Sequence, residues 1–383
     1  MIDFTLTAED NRLVALAREE AAISRKYARY YDQNEDELKP KEFPELMGRP
    51  SPIDQLRANP EGTSGLAITE SLIHQQFGDV HMRRPTEGLG NMIVRYAGTP
   101  EQVEKFESKL LSIAMTEPGA GSDPAAIQAT ARYDEASSEW ILNGEKIYCS
   151  EFGAADGAVV MVRGPVDGNG VKPFLAFVVE KGMPGLQELG QVKKMGLRSW
   201  DTADFVMQDC RVPRSNQLDL DFRRAMFVFN GTRPAVAAIG LSIARNLLDL
   251  LKKKLQEADE SINYENGRFR QSSIQSRVLA LEALHDATTL TILHCKWLEQ
   301  RDGGANGSTM VEAATAKVIG GRAARQITQE CMEMLGVDAL TEEALAEKWF
   351  RDARIFDIFE GAGEINRLII ARSLLGYSNK ELN

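Results

Sequence analysis

The hydrophobic period changes twice along the chain, and that change limits the fold more than any other feature. Leu13, Val14, Leu16 and Ala17 begin an apolar stripe at helical spacing, and Thr7 with Asp10 three residues later forms a capping-box pattern ahead of it. After the proline-broken connection "KPKEFPELMGRPSPIDQLRANPEG", the stretches "SGLAITESLIHQQFGD" and "PEQVEKFESKLLSIA" read as further helices. From about Met115 to Pro213 the period shortens. "QATARYDEASSEWILNGEKIYCS" holds two alternating runs joined by a polar turn, with an Asn143–Gly144 turn signal, and "AVVMVRG", "FLAFVVEK" and "ADFVMQDCRV" are short β-rich runs. Long helical stripes then return to the end of the chain. The pattern predicts an α+β protein: an N-terminal helical domain over 1–112, a central antiparallel β barrel or sandwich over 113–215, and a C-terminal four-helix bundle over 216–383.

Composition removes several function classes. The net charge of −11 disfavours nucleic acid and anionic membrane surfaces, which attract basic faces. Mean hydropathy is −0.29, and no apolar run reads as a membrane span. "MIDFTLTAEDNRL" lacks the pattern of a signal peptide. Cys149, Cys210, Cys295 and Cys331 are scattered, without metal spacing, and read as reduced buried thiols. A cytoplasmic protein is expected. His74, His81, His285 and His294 lie in helix-like sequence and read as packed or exposed helix residues rather than metal ligands.

Two stretches break the pattern. "TEPGAGSD", Thr116 to Asp123, lacks the third glycine and the following helix of a dinucleotide-binding loop, so its own residues fit a plain connection equally well. "FEGAGEINR", Phe359 to Arg367, sets Glu360 at the end of an apolar strip, just before a glycine turn. An acid there either projects into a dry cavity as a general base or, with Glu364, caps the next helix.

Taken together, "MTEPGAGSD" and "RDARIFDIFEGAGEINRLIIAR" resemble the two signatures of the acyl-CoA dehydrogenase family. "GTPEQVEKF", "GEKIYCS", "GLRSWDTADFVMQDCRVP" and "TRPAVAA" are similar to family segments in the same order, so the resemblance covers nearly the whole chain. It implies FAD as cofactor and an acyl-CoA thioester as substrate, oxidised to the trans-2-enoyl-CoA. It also implies an electron-transfer flavoprotein or similar carrier as electron acceptor, and an oligomer.

Residue by residue, the resemblance implies Glu360 as the base that removes the α-proton while flavin N5 accepts the β-hydride. It implies Met115, Thr116, Tyr148, Ser150 and Gly361 as cofactor-binding residues, with Thr116 on the pyrimidine edge. Tyr148 stands where the family usually has Trp, and Ser150 where it usually has Thr. Ser122 and Arg233 are the implied substrate-binding residues, Arg233 near the CoA entrance. Some relatives carry the base at the position of Thr232, a residue that cannot serve as one here. The thioester carbonyl is expected to take a hydrogen bond from the backbone N–H of the glutamate.

The resemblance fails at the segments the family gives to a neighbouring subunit's ADP site. "INYENGRFRQSSIQ" keeps only Arg268 and Phe269 of the pattern, Glu333 and Val337 replace a polar residue and a glycine, and Gly361–Ala362 replaces Gly–Thr. Two readings stay open: drift compensated by backbone contacts, or a heterotetramer in which a paralogous subunit supplies those segments. Mixed subunits are a family feature among enzymes acting on bulky, steroid-like acyl-CoA esters, so fatty acid or steroid side-chain β-oxidation is the expected setting. The alternatives are an enoyl-CoA reductase of the same fold and a flavin-poor subunit that stabilises an active paralogue.

Overall fold

The computed structural model describes residues 4–37, 43–79, 87–168, 170–302, 309–378 and 381, with Arg268 described in its backbone only. His81 lies outside these residues. Six helices come first: α1 (Ala8–Arg25), α2 (Ala28–Gln33), α3 (Pro52–Ala58), α4 (Leu66–His74), α5 (Leu89–Ala97) and α6 (Pro100–Phe106). The capping box expected at Thr7 is present: its hydroxyl accepts from Asp10 N, and the Asp10 carboxylate accepts from Thr7 N. Asp10 is fully buried and also accepts from Thr69 Oγ1 at 2.7 Å, which pins the start of α1 to α4.

Eight strands follow: β1 (Leu111–Ala114), β2 (Thr130–Asp134), β3 (Glu139–Ser150), β4 (Gly157–Arg163), β5 (Phe174–Glu180), β6 (Leu186–Gln191), β7 (Thr202–Pro213) and β8 (Gln217–Leu218). They form one sheet in the order β6-β7-β3-β2-β4-β5-β8, with β1 beside β4. The antiparallel expectation holds for most pairs and is corrected at two, because β4 pairs in parallel with β1 and with the start of β2. β4 is buried on both sides of the sheet. Val160 and Val162 face the cluster around Phe177 and Phe205, while Val159 and Met161 face the cluster that includes Ile93 of α5 and Phe106 of α6. A strand covered on both faces reads as the unbroken apolar run "AVVMV" rather than an alternation.

Asn143–Gly144 is not a turn; both residues lie inside β3, where the register with β7 shifts. Gly144 has φ +143°, and a Cβ there would stand 2.4 Å from Ala129 Cβ. The glycine therefore serves a bulge and a close strand approach. Asn143 is held by Asp209, whose N–H it accepts at 2.8 Å and whose carboxylate it donates to at 3.1 Å.

The C-terminal helices are α7 (Phe222–Glu257), α8 (Ser273–Arg301), α9 (Met310–Leu335), α10 (Ala346–Ala353) and α11 (Gly363–Leu375). α7, α8 and α9 share the largest apolar cluster. Glycines set how closely these helices approach. A Cβ on Gly320 of α9 would stand 2.4 Å from Ala237 Cβ on α7, and one on Gly321 would stand 2.8 Å from the carbonyl of Phe356. Sequence reading found no run fit to span a bilayer. α7 does contain one by length and composition, and two thirds of that stretch (67%) is buried inside the protein, as in a core helix. All four cysteines are free and buried.

Candidate active site

β1 leads directly into the loop 115–123, and β3 holds that loop in place. Met115 O accepts from Lys146 Nζ at 3.0 Å, and Thr116 O accepts from Ile147 N at 3.0 Å. Lys146 is fully buried and pairs with Glu117 at 2.7 Å. Burial pushes the lysine down, and the Glu117 carboxylate draws it back. Glu117 also accepts from the N–H groups of Gln128 at 2.7 Å and Ala129 at 3.1 Å, so this buried pair is well satisfied. The loop is thus anchored at Glu117, with Pro118, Gly119, Gly121, Ser122 and Asp123 left exposed. Neither Gly119 nor Gly121 has positive φ, and a Cβ on either would meet no protein atom within 4 Å. Nothing in the chain itself requires glycine at those two positions.

β3 bulges between Lys146 and Cys149. Tyr148 sits in the bulge with φ +56°, and its N–H leaves the ladder to donate to Asp204 Oδ1 at 2.7 Å. The ring is turned outward and is 61% exposed. Ser150, two residues on, pairs with Thr202 across the strands. The hydroxyls of Thr116, Tyr148 and Ser150 have no hydrogen-bonding partner among the described residues. An exposed aromatic face flanked by uncommitted hydroxyls, beside glycines with open space, fits a flat heterocycle with polar edges. That is the chemistry of a flavin ring.

The second half of the site is built where α7 meets the turn before α11. Glu360 has φ +54° and Gly361 has φ +91°. A left-handed backbone at a non-glycine residue costs about 1 kcal/mol or more and is kept where something requires it. Gly361 is further confined, since a Cβ would stand 3.0 Å from Asn366 Nδ2, the group that donates to Gly361 O at 2.7 Å. The Glu360 side chain does not cap α11. Thr232 of α7 donates to its Oε2 at 2.7 Å, while α11 has no side-chain cap and Glu364 is exposed and paired with Arg367 at 3.2 Å. Burial pushes the Glu360 carboxyl up from the ordinary range, opposed by the Thr232 hydrogen bond and by the charges of Arg233 and Lys317.

Arg233 is not at a solvent entrance. It is 5% exposed, donates to Asn230 Oδ1 at 2.7 Å and approaches the Glu360 carbonyl at 3.4 Å. It sits against the Glu360 turn rather than standing open to a substrate phosphate, and it makes no hydrogen bond to Ser122. Met115 and, from α7, Met226 and Val228 border one apolar cluster, within the two helical turns before Thr232. Three residues of this region escaped sequence reasoning. Glu151, with φ +67°, is pushed to about 8 by burial and by Asp201. Asp357 and Lys317 lie beneath Glu360, and the one signal for Lys317 was a charge on the Ala/Gly face of "AATAKVIGG".

The middle domain of acyl-CoA dehydrogenases matches residues 112–210, and the C-terminal domain of the same family matches 222–375. The chain belongs to the acyl-CoA dehydrogenase family. Acyl-CoA dehydrogenases are oxidoreductases of the CH–CH group of acyl-CoA with FAD as cofactor, and the chain is an enzyme of that class.

Among its relatives is an acryloyl-CoA reductase (NADH) of Anaerotignum propionicum, 28% identical over 98% of this chain and 96% of the relative. The human very long-chain specific acyl-CoA dehydrogenase is 31% identical over 78% of this chain, which spans only 46% of that longer protein. In fold the chain is similar to the butyryl-CoA dehydrogenase of Megasphaera elsdenii, with a TM-score of 0.77, 24% identity, and coverage of 98% of this chain and 100% of that one.

Proposed function

We propose that this acyl-CoA dehydrogenase oxidises an acyl-CoA thioester to the trans-2-enoyl-CoA with Glu360 as the base. The observation that carries the reading is the Thr232–Glu360 contact at 2.7 Å. It holds a half-buried carboxylate, on a strained left-handed residue, away from the helix it would otherwise cap. A carboxyl raised by burial is a stronger base once ionised, which suits removal of an α-proton from a thioester. The Glu360 N–H makes no hydrogen bond to a described residue and is available to a carbonyl whose negative charge grows as the proton leaves. When FAD is bound, Thr116 and Ser150 would offer hydroxyls to the polar edge of its ring, and Tyr148 would supply an aromatic face. When bound, FAD supplies the two-electron acceptor. An electron-transfer flavoprotein as its partner and a reducing, cytoplasmic setting belong to the same proposal, and the four free buried cysteines support the latter.

The test is anaerobic mixing of the FAD-loaded protein with a panel of acyl-CoA thioesters, followed by flavin absorbance. Bleaching by at least one thioester is expected. Glu360→Gln should keep the flavin and slow bleaching by about two to four orders of magnitude. Wild-type bleaching in that variant would remove Glu360 from the role. A second reading, reduction of an enoyl-CoA, is favoured by the near full-length likeness to the acryloyl-CoA reductase. The same residues would then return a proton from Glu360 to the α-carbon. Turnover of enoyl-CoA with a reduced donor, and none of acyl-CoA with an oxidised one, would select it.

A further inference from the structure

Lys317 of α9 is fully buried, and its Nζ has no hydrogen-bond partner among the described residues. A buried ammonium without a partner is expensive, and an apolar side chain of the same length would normally be more stable there. Its surroundings explain what it does. Lys317, Gly320 and Gly321 share one face of α9, and at Gly321 the helix backbone lies against the carbonyl of Phe356 and the backbone of Asp357. That close approach places Lys317 under the turn that delivers Glu360. Asp357 Oδ1 is likewise buried and has no partner among the described residues.

The charged groups around this turn come from four directions: Arg233 from α7, Lys317 from α9, Asp357 from the turn itself and Glu364 from the first turn of α11. Glu364 is exposed and paired with Arg367, which leaves two half-buried acids, Asp357 and Glu360, facing two buried cations, Arg233 and Lys317. With Arg233 alone, two acids would face one positive charge, and ionising Glu360 would cost more.

We propose that Lys317 is a positioning residue whose charge keeps Glu360 ionised and the Asp357–Glu360 turn in place. It acts through the field, without touching the carboxylate. Burial pushes Lys317 down to about 8, and Asp357 and Glu360 draw it back, so its charge fades in mildly alkaline solution. The consequence for turnover rests on Glu360 being the base. The consequence for protonation does not.

The test therefore reads the carboxyl directly. In the FAD-loaded protein, the carboxylic acid band of Glu360 is assigned by infrared difference against Glu360→Gln and followed with pH. Lys317→Met should move the midpoint up by about one pH unit without lowering Tm. Lys317→Arg should bring it back. An unmoved midpoint in Lys317→Met, or a lost Tm with an unmoved midpoint, would overturn the proposal and leave Lys317 a structural cation. Should Lys317→Met fail to fold, Asp357→Asn decides. Both cations then serve Glu360, and its midpoint should fall; a midpoint that stays in place overturns the proposal. A wrong assignment of the base would show in the Glu360→Gln bleaching rate and leave this titration intact.

Discussion

Thr232 Oγ1 lies 2.7 Å from Glu360 Oε2 and 3.1 Å from the carbonyl of Phe229. A hydroxyl has one proton, so the two contacts cannot both be donations from it. With Glu360 ionised, the proton points to the carboxylate. With Glu360 protonated, the carboxyl donates to Thr232, which turns to Phe229. The hydrogen bond to the charged form is the stronger one and favours ionisation.

Thr232→Val tests that relationship with little change of shape. Loss of a hydrogen bond to a charged group is worth about 1.5 kcal/mol or more, so the base should titrate about one unit higher. Flavin reduction, which needs the ionised form, should rise with pH along a limb displaced to higher pH and reach nearly the wild-type plateau. Stopped-flow reduction across pH checks this. A uniform loss at every pH would mean that Thr232 positions Glu360 without tuning it.

Arg233 is a buried cation held by Asn230 and the Glu360 carbonyl, and burial lowers its hold on its proton. Removing one member of such a buried set typically costs about 3–5 kcal/mol. Arg233→Ala should therefore lose much of its Tm, and in the folded fraction the Glu360 turn should be poorly aligned. Arg233→Lys keeps the charge and should recover part of the Tm. Calorimetry of the three proteins checks it. A stable Arg233→Ala with a raised KM for the CoA ester alone would instead place Arg233 on the substrate.

Glu151 gives a pH dependence of stability. Its carboxyl lies 3.1 Å from where a Cβ on Gly88 would stand, takes a hydrogen bond from Trp200, and is pushed to about 8 by burial and by Asp201. The folded state thus holds a proton that the unfolded state releases near the ordinary 4.5. Between those values the native form binds more protons, so stability falls as pH rises. Glu151→Gln removes that fall. Its Tm should match the wild type near pH 4 and exceed it near pH 9, by an amount that grows between the two. Equal Tm curves at both ends would show that the carboxyl is already ionised in the folded protein.

The helices were legible because their periodicity and caps are local. Thr7 and Asp10, four residues of one turn, need nothing else to be read. β1 beside β4 was not legible, since a parallel pair joined across 42 intervening residues leaves no spacing signal. Asn143–Gly144 misled because the same glycine freedom serves a turn and a bulge, and only the approach of Ala129 distinguishes them. At the site, family resemblance pointed to Glu360, while its own sequence context favoured a cap on α11. What holds its carboxylate off that helix is Thr232, 128 residues away. The burial of Arg233 and Lys317 is likewise a property of packed helices, not of any short motif.

We propose last that the chain needs a paralogous subunit to hold FAD tightly. Its ring-side hydroxyls at Thr116, Tyr148 and Ser150 are uncommitted and ready. The segments that the family gives to the neighbour's ADP site are a poor match. Val337 is 79% exposed and Phe269 is fully exposed, so they present apolar surface where polar contacts are expected. Glu333 is less hostile to a phosphate than its charge alone implies, because Arg277 pairs with it at 2.9 Å and with Glu330 at 3.5 Å. That pairing also engages a guanidinium that would otherwise be free to meet a phosphate. Two missing charge-assisted contacts amount to about 3 kcal/mol, or roughly a hundredfold in affinity. The chain purified alone should therefore lose FAD on dilution, and co-purification with a paralogue that keeps those segments should yield one FAD per pair. Val337→Gly with Glu333→Gln, made in the chain alone, should raise its FAD content. The measurement is flavin absorbance per protein before and after gel filtration. A homo-oligomer retaining one FAD in every subunit through that step would defeat the mixed assembly and leave the ring-side assignment untouched.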